Sequence, residues 1–255
     1  MSSLFDLTGK TAVVTGASSG LGVQFAKALA RQGADVALLA RRVNRLGEVK
    51  AEIEKLGVRC ITVPCDVAET AQIQNAVKVV EEAFGKVDIL VNNAGIAADT
   101  PAEDQDDATW EAVMNINING VYRTAREFGK GMIARGYGKI INIGSIHSNV
   151  AMNVSHLSAY CTTKGAVLMM TKALATEWAK KGITVNAIGP AYFPSEMTES
   201  ALAAPEFQQV VNAYCPMART GREGELDGAL IYFASDASSY TTGQLLSVDG
   251  GWTAI

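Results

Sequence analysis

The chain has 255 residues, 48% of them hydrophobic and 19% charged, a composition typical of a globular protein and not of a disordered chain or a coiled coil. Its formal net charge is −4 and it has no basic cluster, which argues against nucleic acid or an anionic membrane surface as a partner. The 4 cysteines have no paired spacing and there are only 2 histidines, so we expect reduced thiols and no metal site.

Short β-branched segments alternate with helical periods along the chain. The predicted strands are Thr11–Thr15, Val36–Ala40, Cys60–Val63, Ile89–Asn92, Ile140–Ile143, Thr184–Ile188 and Leu245–Val248. The predicted helices are Leu21–Gln32, Val43–Leu56, Thr70–Phe84, a helix around Trp110–Ala134, one beginning near Tyr160, and Glu225–Ser235. Apolar strands in this order predict an α/β fold: one Rossmann-type domain over residues 1–255, with a doubly wound, mostly parallel seven-stranded sheet and helices on both faces.

One segment, residues 190–222, breaks this alternation because it contains no predicted strand. Long irregular segments in compact domains are often binding loops, so we interpret it as a substrate lid. Its larger apolar side chains could line a pocket, but helix packing is the preferred interpretation. These side chains are Met197, Leu202, Phe207, Val210 and Val211.

Two features bear on the cellular location. Residues 1–10 lack the apolar run of a signal peptide, and no stretch of about 18 apolar residues occurs in the sequence. We therefore expect a cytoplasmic protein without a membrane partner.

A glycine-rich segment, Thr15–Gly22, joins the first strand to the first helix. Glycines at positions 16, 20 and 22 permit a tight turn and let backbone N–H groups approach a pyrophosphate at the helix amino end. Because the order strand, loop, helix is correct, the segment predicts dinucleotide binding.

The end of the second strand bears on the choice of cofactor. An NAD-binding chain would carry an acidic residue there, but this chain has Ala40 followed by Arg41 and Arg42. A guanidinium pairs well with phosphate, so Arg41, supported by Arg42, favours NADP(H) over NAD(H).

Tyr160 and Lys164 are four residues apart at the start of a predicted helix, so their side chains should share one face. A neighbouring ammonium stabilises a phenolate and lowers the pKa of the phenol. We therefore expect Lys164 to lower the pKa of Tyr160 and make it an effective acid or base.

Together, these motifs resemble the short-chain dehydrogenase/reductase family across nearly the whole chain. The resemblance rests on Thr15–Gly22, Asn92-Asn93-Ala94-Gly95, Ser145 after the fifth strand and Tyr160-x-x-x-Lys164. It implies hydride transfer between a nicotinamide cofactor and a secondary alcohol or ketone, and it also implies a homotetramer.

The resemblance further implies roles for individual residues. Tyr160 would be the acid or base, Ser145 would hold the substrate oxygen, and Lys164 would also contact the nicotinamide ribose. Asn117 would support a proton-relay water. The cofactor-binding residues predicted from the motifs and the resemblance are Gly16, Ser18, Ser19, Gly20, Leu21, Gly22, Arg41, Arg42, Asp66, Val67, Asn93, Ala94, Gly95, Tyr160, Lys164, Pro190, Phe193 and Ser195, with Asn92 also expected at the cleft.

The chain departs from the family pattern at two places. The sixth strand is followed by Gly189-Pro190-Ala191 instead of Pro-Gly, and the fifteen-residue spacing from Ser145 to Tyr160 is longer than usual. Ser148 lies nearer to Tyr160, but the strand-end motif favours Ser145. The intervening loop is polar, and the hypothesised substrate contacts are His147, Asn153, His156 and, in the lid, Tyr192.

Within the family, the lid and the ending Val248-Asp249-Gly250-Gly251-Trp252 are most similar to gluconate 5-dehydrogenase-like and related polyol or keto-sugar reductases. Residues 191–218 contain no Lys or Arg, which disfavours a sugar acid and leaves a neutral polyol or ketose as a rival. A hydroxysteroid dehydrogenase, a 3-oxoacyl carrier-protein reductase and a non-catalytic NADP(H)-binding regulator remain the alternatives.

Overall fold

The computed structural model describes residues 4–152 and 155–255. The strands, β1 to β7 in chain order, are Thr11–Thr15, Asp35–Ala40, Cys60–Pro64, Ile89–Asn92, Gly138–Ile143, Ile183–Pro190 and Leu245–Val248. The helices, α1 to α9, are Gly20–Arg31, Val43–Glu54, Thr70–Phe84, Asp107–Met114, Val121–Arg135, Ser158–Trp178, Glu199–Ala203, Pro205–Tyr214 and Asp227–Ala234.

The strands form one seven-stranded sheet in the order β3-β2-β1-β4-β5-β6-β7, and every neighbouring pair is parallel. This confirms the predicted Rossmann-like α/β fold. The strand order reverses between β1 and β4, and ligands of doubly wound sheets bind at such a switch point, beyond the carboxyl ends of the strands.

Both faces of the sheet are buried, as the apolar strands predicted. On one face, side chains such as Val14 and Leu38 pack in a core with α1, α2 and α9. On the other face, the alternate residues Val13 and Leu39 pack with α3, α5 and α6. Since successive strand residues point to opposite faces, one apolar strand supplies both cores.

The helix expected around Trp110–Ala134 is interrupted. A π-helical turn, Asn115–Gly120, separates α4 from α5. The Asn117 side chain pairs with the Ile96 backbone in both directions, donating to its carbonyl at 2.8 Å and accepting from its N–H at 2.9 Å. Such turns often lie at functional sites, and this one holds the loop after β4 against the start of α5.

Two short helices, α7 and α8, lie in the lid, which contains no strand between residues 191 and 222. Val211 of α8 is buried beside Ile146, Cys215 and Trp252, and Phe207 packs against the same cluster. This packing agrees with the preferred interpretation of these two apolar lid residues. Met197 differs, because its side chain is exposed and lines the cleft described below.

Three further observations concern membrane spans, metal sites and the cysteine thiols. Within the described residues, no helix is long and apolar enough to cross a membrane. Nor does that part of the chain hold a group of three His, Cys, Asp or Glu side chains that could bind a metal ion. The four cysteines are free thiols, and burial raises the pKa of Cys60 to about 12 and that of Cys65 to about 11.

Candidate active site

A cleft of about 510 Å³ opens at the carboxyl ends of β1 and β4, at the switch point of the sheet. It brings together residues from the glycine loop, the ends of β2 and β4, the start of α6 and the lid. Its lining residues are Gly16, Ser18, Ser19, Gly20, Leu21, Ala40, Arg41, Arg42, Cys65, Asp66, Val67, Asn93, Ala94, Gly95, Ile96, Ala97, Ile116, Ile143, Tyr160, Lys164, Ser195, Glu196 and Met197.

The glycine loop forms the floor of this cleft. Gly16 and Gly20 have φ of 65° and 53°, a left-handed conformation that favours glycine. At Gly22 the reason for glycine is space, because an added Cβ would lie 2.3 Å from the Gly16 carbonyl oxygen. Asn93, just after β4, stabilises the loop, since its side-chain amide donates to the Thr15 carbonyl at 2.9 Å.

The loop presents the amino end of α1 to the cleft. Among the described residues, no side chain caps this end, and the first turn contains no acidic residue. Uncapped N–H groups and the helix dipole attract an anion, so this end of the cleft fits the pyrophosphate of a dinucleotide.

The two predicted arginines have different surroundings. The Arg42 guanidinium donates to the Ser18 hydroxyl at 3.2 Å and to the Ser19 hydroxyl at 2.6 Å, so it lies against the glycine loop. The side chain of Arg41 is 65% exposed, and its ion pair with Asp66 is 3.8 Å long. Arg42 therefore lies closer to the glycine loop than Arg41, while the expected order of the two as phosphate ligands stays a prediction.

Tyr160 and Lys164 line the other end of the cleft, and Ser145 lies beside Tyr160. β5 ends just before Ser145, and the first turns of α6 carry Tyr160 and Lys164. The Ser145 hydroxyl hydrogen-bonds to the Tyr160 phenol. The Lys164 ammonium donates to the Ile143 carbonyl at 2.7 Å and lies 5.3 Å from the centre of the Tyr160 ring.

The pKa of Tyr160 differs from the expectation. Burial raises it to about 12, and the hydrogen bond from Ser145 offsets only part of that rise. The predicted lowering by Lys164 stays a prediction, since the ammonium contacts a backbone carbonyl and not the phenol oxygen. Burial also lowers the pKa of Lys164, to about 8. The phenol is therefore protonated at neutral pH.

The rival serine, Ser148, has a different position. Its hydroxyl accepts the backbone N–H of Ser145 at 3.3 Å, while the Ser145 hydroxyl accepts the N–H of His147 at 3.1 Å. The two serines thus form a capping box around one short turn. Of the two hydroxyls, that of Ser145 contacts Tyr160.

This difference gives a test of the two serines. Ser145→Ala removes the hydroxyl beside Tyr160 and should lower kcat for ketone reduction by roughly 10²-fold, the usual loss of one oxyanion-type donor. Ser148→Ala removes only a cap and should lower kcat less than about tenfold. Steady-state assays of both purified variants separate the two roles, and equal losses would contradict the assignment to Ser145.

Asn117 is buried, and its side chain is largely committed to structure. Besides its two bonds to Ile96, its amide donates to the Thr163 hydroxyl at 3.1 Å. Both amide hydrogens are used, so a proton-relay water would have to bind the remaining lone pair of Oδ1 or the backbone carbonyl. The proton-relay role of Asn117 stays a prediction.

The predicted substrate residues do not share one environment. His147 is buried, bonds the Val150 carbonyl through Nδ1 at 3.0 Å and meets the Tyr160 ring edge-on. Tyr192 packs its ring on Phe207 and Trp252. His156 is exposed beside Asp99, with 3.4 Å between Nδ1 and the carboxylate. Asn153 lies outside the described residues.

Four residues expected at the cofactor cleft are not among its lining residues: Gly22, Asn92, Pro190 and Phe193. The Asn92 side chain points into the core, where it donates to Asn142 and accepts from Thr124. Pro190 ends β6 as a buried residue. Phe193 instead lines a second cavity of about 330 Å³, where its ring contacts Gly221.

The sequence did not indicate one contact at the cleft. Glu196 of the lid pairs with Arg42 and Arg45, and this carboxylate holds the lid against the cofactor end of the cleft. The arginines are separated from Glu196 by more than 150 positions, so only the fold brings the three side chains together.

Comparisons with known proteins agree with this geometry. A family model described as enoyl-(acyl carrier protein) reductase matches residues 16–253. Gluconate 5-dehydrogenase of Gluconobacter oxydans is 40% identical over 98% of this chain and 97% of its own length. Galactitol 2-dehydrogenase (L-tagatose-forming) of Cereibacter sphaeroides is also 40% identical, with the same coverage. The structure of a gluconate 5-dehydrogenase from Burkholderia cenocepacia in complex with NADP and tartrate has a TM-score of 0.94 and 37% identity, covering 98% of both chains.

Proposed function

The chain belongs to the short-chain dehydrogenase/reductase family and is an oxidoreductase acting on CH–OH groups, and from this premise we propose that it interconverts a sugar acid or polyol with the matching keto sugar, using NADP(H). The arrangement of Ser145, Tyr160 and Lys164 supports this proposal. Tyr160 and Lys164 line one end of the cleft, and Ser145 beside Tyr160 can add a second hydrogen bond to the substrate oxygen that the phenol protonates.

The protein side of the reaction follows from these contacts. The bound nicotinamide supplies the hydride in the reduction. Tyr160, protonated at neutral pH, donates its proton to the carbonyl oxygen, and Ser145 donates a hydrogen bond to the same oxygen as charge develops. Lys164 then stabilises the phenolate through its charge, since the Ile143 carbonyl holds the ammonium beside the ring.

The substrate class rests on the gluconate and galactitol enzymes among the relatives. The absence of Lys and Arg from residues 191–218 disfavoured a sugar acid, and the same segment carries the carboxylates Glu196, Glu199 and Glu206. Glu196, however, is paired with Arg42 and Arg45 at the cofactor end. That contact weakens the objection to an anionic substrate.

A substrate panel tests the proposal. NADPH oxidation should be fastest with keto-gluconate or a neutral ketose and slower with acyl thioesters and keto-steroids. Turnover of only a thioester or only a steroid would sink the proposal and favour the corresponding alternative. Binding of NADPH with no turnover of any substrate would favour a non-catalytic regulator.

The cofactor preference has its own prediction. We propose that Arg42 binds the 2′-phosphate of NADP(H), so Arg42→Gln should weaken NADP+ binding by about tenfold and leave NAD+ binding nearly unchanged. Arg41→Gln, at the more exposed guanidinium, is the control and should have the smaller effect. Calorimetric titration with both nucleotides measures this, and a larger loss in Arg41→Gln would reverse the assignment.

We also propose that the chain forms one Rossmann-type domain, is cytoplasmic and assembles as a homotetramer, as the family resemblance implies. Exposed apolar side chains on α4, α5 and α6 support an interface; they are Trp110, Tyr122 and Met169. Light scattering coupled to size-exclusion chromatography gives the assembly mass directly, and a monomer would contradict the proposal.

A further inference from the structure

Glu196 belongs to the lid, but its carboxylate contacts the opposite wall of the cofactor cleft. Oε2 accepts from Arg42 Nη2 at 2.9 Å, and Oε1 is 3.4 Å from Arg42 Nη1. Oε1 also accepts from Arg45 in α2, and the Ser19 hydroxyl donates to the same carboxylate. One side chain thus joins the lid, α2 and the glycine loop.

The turn that carries Glu196 is itself fixed. Ser195 and Thr198 share a hydrogen bond of 2.9 Å between their hydroxyls, and Thr198 also donates to the Phe193 carbonyl at 2.5 Å. Ser195 packs on Gly20, where an added Cβ would lie 3.1 Å from the Ser195 Cβ. The lid is therefore closed on the glycine loop, and Glu196 contacts Arg42 from a turn that these hydrogen bonds hold in place.

A carboxylate and a phosphate compete for the same guanidinium, because both are anions that accept its forked N–H donors. Arg42, which the proposed function assigns to the 2′-phosphate, already donates to Glu196. A second anion at this guanidinium would also be repelled by the carboxylate. The side chains of Arg42, Arg45 and Glu196 are each nearly half exposed, so water weakens both effects without abolishing them.

We infer that Glu196 is a specificity-determining residue that competes with the 2′-phosphate of NADP(H) for Arg42. To pair with both outer nitrogens of Arg42, the 2′-phosphate has to displace the carboxylate and loosen the lid contact. NAD(H) has a hydroxyl at that position and leaves the contact intact. Glu196 therefore limits the preference for NADP(H) that Arg42 creates. The inference rests on the proposed function, through the assignment of Arg42.

Direct binding tests this without turnover. Glu196→Gln keeps the shape of the side chain and removes its charge, so calorimetry should show Kd for NADP+ falling by about threefold to tenfold. Kd for NAD+ should stay within about twofold of the wild-type value. Glu199→Gln is the matched control, because this lid carboxylate is exposed and makes no hydrogen bond to the described residues; it should leave both constants unchanged.

Repeating the measurement in the Arg42→Gln variant shows whether the effect of Glu196 depends on Arg42. When Arg42→Gln is already present, Glu196→Gln should no longer favour NADP+. Equal tightening of NADP+ and NAD+ would mean that Glu196 only holds the lid shut, and weaker or unchanged NADP+ binding would mean that it does not compete; each result overturns the inference. If Arg42→Gln alone leaves NADP+ binding unchanged, the phosphate assignment in the proposed function fails. Absence of turnover on the substrate panel would affect neither measurement.

Discussion

Replacing Tyr160 with Phe should lower kcat for ketone reduction by about 10² to 10⁴-fold, the range for loss of a positioned acid or base. The phenol lines the cleft, bonds Ser145 and has Lys164 beside its ring. Phe keeps the ring, including its edge-on contact with His147, so the loss should be in chemistry and not in folding. Steady-state rates of NADPH oxidation, measured beside the thermal midpoint of each protein, check this.

Two controls keep the test of Tyr160 specific. Tyr240→Phe changes a fully exposed phenol and should leave both the rate and the thermal midpoint unchanged. Kd for NADP+ should change less than about threefold in Tyr160→Phe, because its loss is expected in the transition state. Near-wild-type turnover by a folded Tyr160→Phe protein would contradict the proposed acid role.

Much of the fold could be predicted because hydrophobic period and glycine position are local signals. Predicted and observed bounds agree for Thr11–Thr15 and Ile89–Asn92, where every strand residue is buried. The glycine loop was equally readable, since φ at Gly16 and Gly20 is a local requirement. The position of a cofactor cleft at the switch point then follows from the sheet order.

What the sequence did not reveal depends on tertiary contacts. Adjacent strand-end residues point in opposite directions, so Asn92 enters the core while Asn93 holds the glycine loop, and a motif alone does not distinguish them. The pairing of Arg42 with Glu196 joins two segments 154 positions apart. The pKa of Tyr160 depends mainly on how deeply its phenol is buried. The four-residue spacing of Tyr160 and Lys164 gives no information on that burial.

Gly22→Ala should weaken NADP+ binding by roughly 10²-fold, because it displaces groups that must be held to within about 1 Å. The added methyl carbon would lie 2.3 Å from the Gly16 carbonyl oxygen and 2.7 Å from Asn93 Nδ2. Neither neighbour can yield freely: Gly16 belongs to the loop that faces the pyrophosphate end, and the same Asn93 amide bonds Thr15. Relief of the clash therefore has to move the glycine loop away from the amino end of α1.

The matched control is Gly228→Ala in α9, where, apart from its chain neighbours and the helix's own backbone, no described atom lies within 4 Å of an added Cβ. An alanine there should leave NADP+ binding unchanged and raise the free energy of unfolding by about 0.5–1 kcal/mol, as expected for glycine replaced in a helix. Gly22→Ala should instead lower it by about 1–3 kcal/mol through overpacking. Calorimetry and denaturant titration measure the two quantities separately. If Gly22→Ala lost stability but bound NADP+ like wild type, the glycine would serve only helix packing and the pyrophosphate would have to bind elsewhere.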